Sequence, residues 1–503
     1  MTERRTSAEE DHKDLARGAG VTILGSIARI APRAIFLILA GRFYGESGFG
    51  AFTFATAIVE TAAGFSLFGM KRSLFRFMGE AKARGESLHR PIVNGVALAL
   101  TTAVVLTLAG AVGAPVIART FGLPSAGPML FVLTMSIPFI VLSDILLVAI
   151  RFTRQMRFEV FARSLVEPIV LTLALILIHQ VGANEIGLAY AYLVSLVSAA
   201  AVSLFFFTRV FDLAACLRTR PRWSEVRQLA SFSGPTAGYE LLMMLADKAD
   251  VFLVSYFGSA ATVGVYGMAR QFATITKKIK AGFDRILPTV YSESLAAGET
   301  ERASHQLGMV SRWILSVQLP VVLVFLFFAT PILGWVQAGF ATGGLVLVLL
   351  MIGDAINGSL SVSELPFLYL RPSSNIVFGA ATLALNVGIG FFLVRAYGAA
   401  GAATSVLIAS LVVNLVRVTA GYRAFGQRAV SVTIAKPLVA AVFAAGIGWS
   451  AEQLLTDLGA IGSALQLILI LAAYAGGLAL LGLEPEDKAQ VERLLAKVRP
   501  AGL

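Results

Sequence analysis

Apolar stretches long enough to cross a bilayer recur along the whole chain, and this constrains the fold more than any motif. A transmembrane helix needs about 20 apolar residues. Such runs fall at 18–41, 48–69, 92–117, 128–150, 158–178, 186–208, 232–257, 262–287, 310–333, 342–364, 374–396, 400–420, 433–453 and 461–483. The supply matches the demand. Of 503 residues, 57% are apolar and 14% are charged, and mean hydropathy is +0.79. Ordinary soluble domains carry roughly 45–50% and about 25%. A soluble single-core domain is excluded. The expected fold is all-α and polytopic, with about fourteen transmembrane helices.

Loop charges set the expected topology. The 70–91 loop holds Lys71, Arg72, Arg76, Lys82, Arg84 and Arg90, the 151–157 loop holds Arg151, Arg154 and Arg157, and 209–227 holds Arg209, Arg218, Arg220, Arg222 and Arg227. The intervening loops carry little beyond Arg42, Arg119 and Arg395. Basic loops stay in the cytoplasm, so this alternation predicts an even helix count with both termini cytoplasmic. The net charge of +11 follows from the same bias and calls for no nucleic-acid partner. In the tail, Val491, Leu494, Leu495 and Val498 share one helical face, and Lys488, Arg493 and Lys497 suit an inner-leaflet surface.

An internal repeat is visible. Gly50, Phe52 and Ala55 match Gly264, Tyr266 and Ala269, and Gly187, Ala189 and Leu193 match Gly401, Ala403 and Leu407, both at an offset of 214 residues. The implied unit is six helices used twice. An even unit gives a parallel repeat about an axis along the membrane normal. The expected organisation is an N-lobe at 1–208, a cytoplasmic linker at 209–227, a C-lobe at 228–420, an extra helix pair within 421–483 and an amphipathic tail at 484–503.

Ionisable groups inside spans are costly and face a cavity or a partner. Arg29 and Arg33 stand four residues apart on span 1 and share a face. Arg33 lies near mid-span, where it binds an anionic substrate or pairs with Glu60 of span 2. Span 8 carries Arg270, Lys277 and Asp284 at heptad spacing, with Lys280 beside them. Lys278 and Arg285 follow the positive-inside rule. Span 7 carries Glu240, Asp247 and Asp250. These carboxylates neutralise nearby cations such as Lys248, or bind a coupling ion. Asp144, Glu167, Asp354 and Glu364 are weaker candidates, read as structural partners.

Other chemistry is missing from the sequence. Cys216 is the one cysteine, so no intrachain disulfide forms. His12, His89, His179 and His305 lack metal-ligand spacing. There is no Walker A loop and no hydrolase or kinase motif set. The first seventeen residues form a charged segment, and the first apolar run carries arginines, unlike a secretory signal. No cofactor and no enzymatic activity are expected.

The stretch Arg42-Phe43-Tyr44-Gly45 with Phe49, Gly50, Phe52 and Ala55, the segment Phe68-Gly69-Met70-Lys71-Arg72-Ser73-Leu74-Phe75-Arg76, the run Asp250-Val251-Phe252-Leu253 with Tyr256, Gly264, Tyr266 and Ala269, and Gly398, Gly401, Ala402 and Ala403 together carry a family resemblance. The chain resembles the O-antigen and exopolysaccharide flippases of the multidrug/oligosaccharidyl-lipid/polysaccharide exporter superfamily. The resemblance implies a V-shaped pair of six-helix lobes in the bacterial inner membrane. It implies movement of an undecaprenyl-pyrophosphate-linked oligosaccharide from the cytoplasmic to the periplasmic leaflet by alternating access. It also implies cavity arginines that meet the pyrophosphate, a role for which Arg29, Arg33 and Arg270 are the candidates, with Lys277 and Lys280 near the cytoplasmic mouth. Asp247, Asp250 and Glu60 are the candidates for coupling to H+ or Na+. Polysaccharide polymerases or ligases would be the protein partners. The related multidrug antiporters typically have twelve helices, so the extra pair counts against them. A cation antiporter, a scaffold of a polysaccharide synthase complex and a membrane transferase are the rival readings.

Overall fold

The computed structural model describes residues 2–284, 287–482 and 484, with side chains from residue 32 onward. The amphipathic tail, Arg285 and the side chain of Arg29 lie outside the described residues.

Among the described residues, and apart from short turns, each of the fourteen expected spans coincides with helix, and no strand occurs. Nine segments there are long and apolar enough to cross a membrane. Three of these, Pro32–Ala83, Ser373–Phe425 and Val432–Leu480, run 52, 53 and 49 residues, more than twice the roughly 20 of one pass. Each is broken, the first at Gly45 (φ 67°), the second at Gly398 (φ 56°) and the third by the short turn Thr456–Leu458. A side chain at either glycine would oppose that backbone, so the two residues end one pass and begin the next. The helices Trp223–Phe257 and Ala260–Phe283 fall outside the apolar set because they carry the charges of spans 7 and 8. Three double passes and these two helices restore the count of fourteen.

The chain packs as two compact units. The first comprises Met1–Ala269, Ile332–Gly343 and Gly379–Val406, and the second Arg270–Pro331, Gly344–Phe378 and Leu407–Leu503. In the first, Phe49, Phe54 and Tyr266 are fully buried, and Phe52 meets Tyr192 edge-on at 5.6 Å. The repeat-related glycines meet here. A Cβ on Gly50 would clash with the Ala260 carbonyl and lie 2.8 Å from the Gly264 nitrogen, and one on Gly264 would clash with the Glu46 carbonyl and lie 3.0 Å from the Gly50 nitrogen. Each glycine therefore abuts the residue four positions before its counterpart. That reciprocity is what a two-fold relation between the two segments requires.

The second unit seats the extra helix pair. Ala440, Ala444, Ile470 and Tyr474 pack with Leu323, and the Tyr474 hydroxyl donates to the Ser316 carbonyl at 3.0 Å. The helices Ala435–Leu455 and Gly459–Leu480 approach closely, since a Cβ on Gly477 would lie 3.2 Å from that of Ala440. Small residues permit such contacts in lipid, where burial alone gives little driving force between helices.

The segment expected to link the repeats is tied down within the first unit. Buried Asn94 accepts the Arg222 backbone N–H at 3.1 Å and donates to Glu225 at 2.8 Å. Cys216, 7% exposed, sits in the short helix Leu213–Arg218, and burial, then Asp212, push its thiol pKa up. Maleimide labelling of the native protein should therefore be slow at pH 7 and quicken with pH, because the thiolate reacts. A hydrogen bond to a charged group is worth about 1.5–3 kcal/mol. Asn94→Ala is thus expected to raise labelling of Cys216 about tenfold or more through local opening. Equal rates in variant and wild type would show that Asn94 does not hold this segment.

Candidate functional site

The kinked helix Thr2–Ser66 carries Arg33 before Gly45 and Glu60 after it. The helix Trp223–Phe257 supplies Lys248. The Lys248 ammonium donates to one Glu60 oxygen at 2.8 Å, and the Tyr192 hydroxyl donates to the other at 3.3 Å. Arg33 is half-buried and adds a second positive charge acting on the same carboxylate. The Glu60 carboxylate therefore feels two cations inside the spans, Lys248 by a direct bond and Arg33 through its charge. The expectation of an Arg33–Glu60 pair was incomplete, because Lys248 makes the direct bond. Lys248 was named in the sequence as a charge that acids neutralise, but its partner across 188 residues carries no local signal.

The three acids of span 7 do not stay together. Asp250 has no exposed surface. It accepts from the Tyr266 hydroxyl and from the Val251 N–H at 2.9 Å, which ties it into the contact with the helix Ala260–Phe283. Asp247 is exposed and Glu240 half-buried. Three residues advance a helix by about 300°. Asp250 therefore lies about 60° round from Asp247, enough to turn one carboxylate into packing and leave the other at the surface.

A second ionic network lies in the same unit. Arg163 contacts Asp144 and lies 3.5 Å from Glu167, and Lys71 reaches Asp144 at 3.2 Å. Arg163 and Lys71 are thus the partners of Asp144 and Glu167, the acids expected to be structural. Arg163 itself was missed. It sits in a π-helical stretch, Val160–Val166, a distortion common at functional sites. Its available signal was the four-residue spacing to Glu167.

In the second unit, Arg270 is half-buried at the start of the polar stripe. Lys277 lies 3.8 Å from Asp354, and Lys280 lies 3.4 Å from Asp284. The stripe read from heptad spacing thus holds Lys277 and Lys280 against acids, Asp354 on Gly344–Leu360 and Asp284 just past the end of its own helix. A further polar set was not foreseen. Asn414 donates to Asn357 at 3.1 Å, Arg417 donates to Asn414 at 3.4 Å, and its guanidinium lies 5.0 Å from the Phe378 ring centre. Arg417 is 9% exposed. A lone arginine within the 400–420 run was the signal that could have found it. Among the described residues, no three His, Cys, Asp or Glu side chains converge as metal ligands.

The family described as "Polysaccharide biosynthesis protein" matches residues 15–283, more than half of the chain. No curated protein matches the sequence. Among solved structures, the chain is similar to the lipid II flippase MurJ in an inward closed conformation, with 14% identity over 91% of this chain and 98% of that one and a TM-score of 0.74. It is also similar to an inward-facing multidrug resistance MATE family transporter of the MOP superfamily, with 17% identity over 80% and 98% and a TM-score of 0.67. A MATE structure in the bent conformation matches at 16% identity over 82% and 95%, with a TM-score of 0.57. At these identities the likeness is one of fold, the all-helical fold expected from the sequence.

Proposed function

The chain belongs to the polysaccharide biosynthesis protein family, and from that membership we propose that it is a flippase for lipid-linked oligosaccharide. The cargo is a polyprenyl-pyrophosphate-linked oligosaccharide, moved from the cytoplasmic to the periplasmic leaflet of the bacterial inner membrane. The observation that carries this reading is that cations lie within the spans, with Arg33 and Lys248 both acting on the Glu60 carboxylate in the first unit. A pyrophosphate cannot enter hydrocarbon alone. Planar guanidinium groups suit its oxygens better than ammonium groups do. Arg33 and Arg270, with Arg29 one turn before Arg33, are assigned to the pyrophosphate. Lys277 and Lys280 attract the headgroup at the cytoplasmic mouth. The lobes at 1–208 and 228–420 exchange access, and the termini face the cytoplasm.

No nucleotide is needed. An inside-negative potential favours outward movement of an anion, by about 2.3 kcal/mol per charge per 100 mV. For two charges that is about 4.6 kcal/mol, about 2,000-fold in equilibrium distribution. Asp247 and Glu60 are the carboxylates through which H+ or Na+ would couple. Asp250, closed in by Tyr266 and the Val251 amide, serves packing in this reading.

The test is reconstitution in liposomes with a labelled polyprenyl-pyrophosphate oligosaccharide. Access of an impermeant reagent to the headgroup is followed with and without an imposed potential. Protein-dependent translocation, accelerated toward the positive side, is expected. Folded protein that moves no such lipid would overturn the proposal, and movement of organic cations in its place would favour an antiporter.

A further inference from the structure

A pocket of about 440 Å³ lies in the second unit, apart from the charges discussed above. It forms where the start of the helix Thr300–Val336 meets the 426–431 loop that leads into the extra helix pair. Arg312, His305 and Arg428 line it, with Glu301 as the one acid, and Ser304 and Ser431 add hydroxyls. Arg312 is only 6% exposed. It is oriented by a bond from its guanidinium to the Thr433 hydroxyl at 2.9 Å.

The loop carrying Arg428 is held from several sides. The Arg428 backbone N–H donates to Ser304 at 2.7 Å. Fully buried Tyr291 donates to Gln427, the preceding residue, at 2.6 Å. Gly308 lets the loop approach, since a Cβ there would lie 3.3 Å from that of Ser431. Ser431 accepts from the Thr433 hydroxyl at 3.0 Å and opens the turn that leads into Ala435–Leu455.

Arg312 and Arg428 therefore line one concavity together with Glu301 and the hydroxyl-bearing Ser304 and Ser431, and the Arg428 guanidinium lies 5.4 Å from the Tyr422 ring centre. A buried arginine is costly to keep, and its fixed fork matches tetrahedral oxyanions. By the loop-charge alternation, this end of span 9 faces the cytoplasm. We propose that this pocket binds a phosphate group, and so ties the extra helix pair to span 9 through a bound anion. The same chemistry is offered by an anionic phospholipid headgroup of the inner leaflet and by free phosphate. The proposal does not depend on what the protein transports.

The test is thermal unfolding of the purified full chain in detergent. It is titrated separately with phosphatidylglycerol in mixed micelles and with inorganic phosphate, each against sodium chloride at matched ionic strength. Wild type and Arg428→Gln are compared, together with Arg312→Gln. The expected result is saturable stabilisation of the wild type and an apparent affinity weaker by about tenfold or more in Arg428→Gln. Arg428 is exposed and its backbone tie survives the substitution, so this variant keeps the test valid if Arg312→Gln fails to fold. Stabilisation by the lipid alone assigns the site to a headgroup. Stabilisation by phosphate alone, or by both, assigns it to the free anion or to the phosphate group itself. Absence of saturable binding, or an unchanged affinity in Arg428→Gln, would overturn the proposal.

Discussion

Valine at Gly264 is expected to leave little folded protein in the membrane, and valine at Gly50 to do the same. At each position the obstacle is backbone. The Glu46 carbonyl and the Gly50 nitrogen crowd a side chain at Gly264, and the Ala260 carbonyl and the Gly264 nitrogen crowd one at Gly50. Overpacking costs about 1–3 kcal/mol where side chains can shift. Here two helices must separate, and the buried Tyr266–Asp250 bond nearby would be strained with them. Alanine should show the same effect in weaker form. Gly388→Ala is the control, because an added Cβ there meets nothing within 4 Å, and alanine favours helix by about 1 kcal/mol. Size-exclusion profiles and thermal unfolding in detergent report the outcome. Gly264→Val protein as stable as the wild type would mean that the two segments are not packed this closely.

The second large effect concerns transport. Arg33→Gln should slow translocation of the lipid-linked oligosaccharide by about 10–100-fold, the value of a charge-assisted bond of about 1.5–3 kcal/mol. Folding should survive, because Lys248 still neutralises Glu60 at 2.8 Å. Lys248→Met has the opposite character. It removes the direct partner of Glu60 and should lower the yield of folded protein. The exchange Glu60→Lys with Lys248→Glu should restore that yield. Initial rates in liposomes and unfolding temperatures separate the two roles. Folded Arg33→Gln that translocates at the wild-type rate would remove Arg33 from the substrate's path.

These residues also mark where sequence reading stops. Helices, their boundaries and their number are local properties. A run such as 186–208 must be helical in lipid, because no water is present to satisfy its backbone, and it is observed as Gly187–Thr208. The turns at Gly45 and Gly398 lie where loops were expected. Loop charges predicted topology for the same reason, since each charge reports its own position. The Gly50–Gly264 match was legible as an offset. That the two glycines touch was not legible, because a repeat fixes equivalence and says nothing of distance.

The charged residues divide in the same way. Their presence within the spans was determined by the sequence alone, as were the heptad stripe Arg270–Lys277–Asp284 and the spacing of Arg29 and Arg33. Which charges meet was decided by tertiary structure. Lys248 reaches Glu60 across 188 residues, Arg163 gathers Asp144 and Glu167, and Asp250 turns inward to Tyr266 while Asp247 stays exposed. Helical periodicity assigns a residue to a face, but the neighbour of that face depends on how the helices pack. In a low-dielectric interior that neighbour determines whether a charge is a satisfied structural pair or is left to act on a substrate.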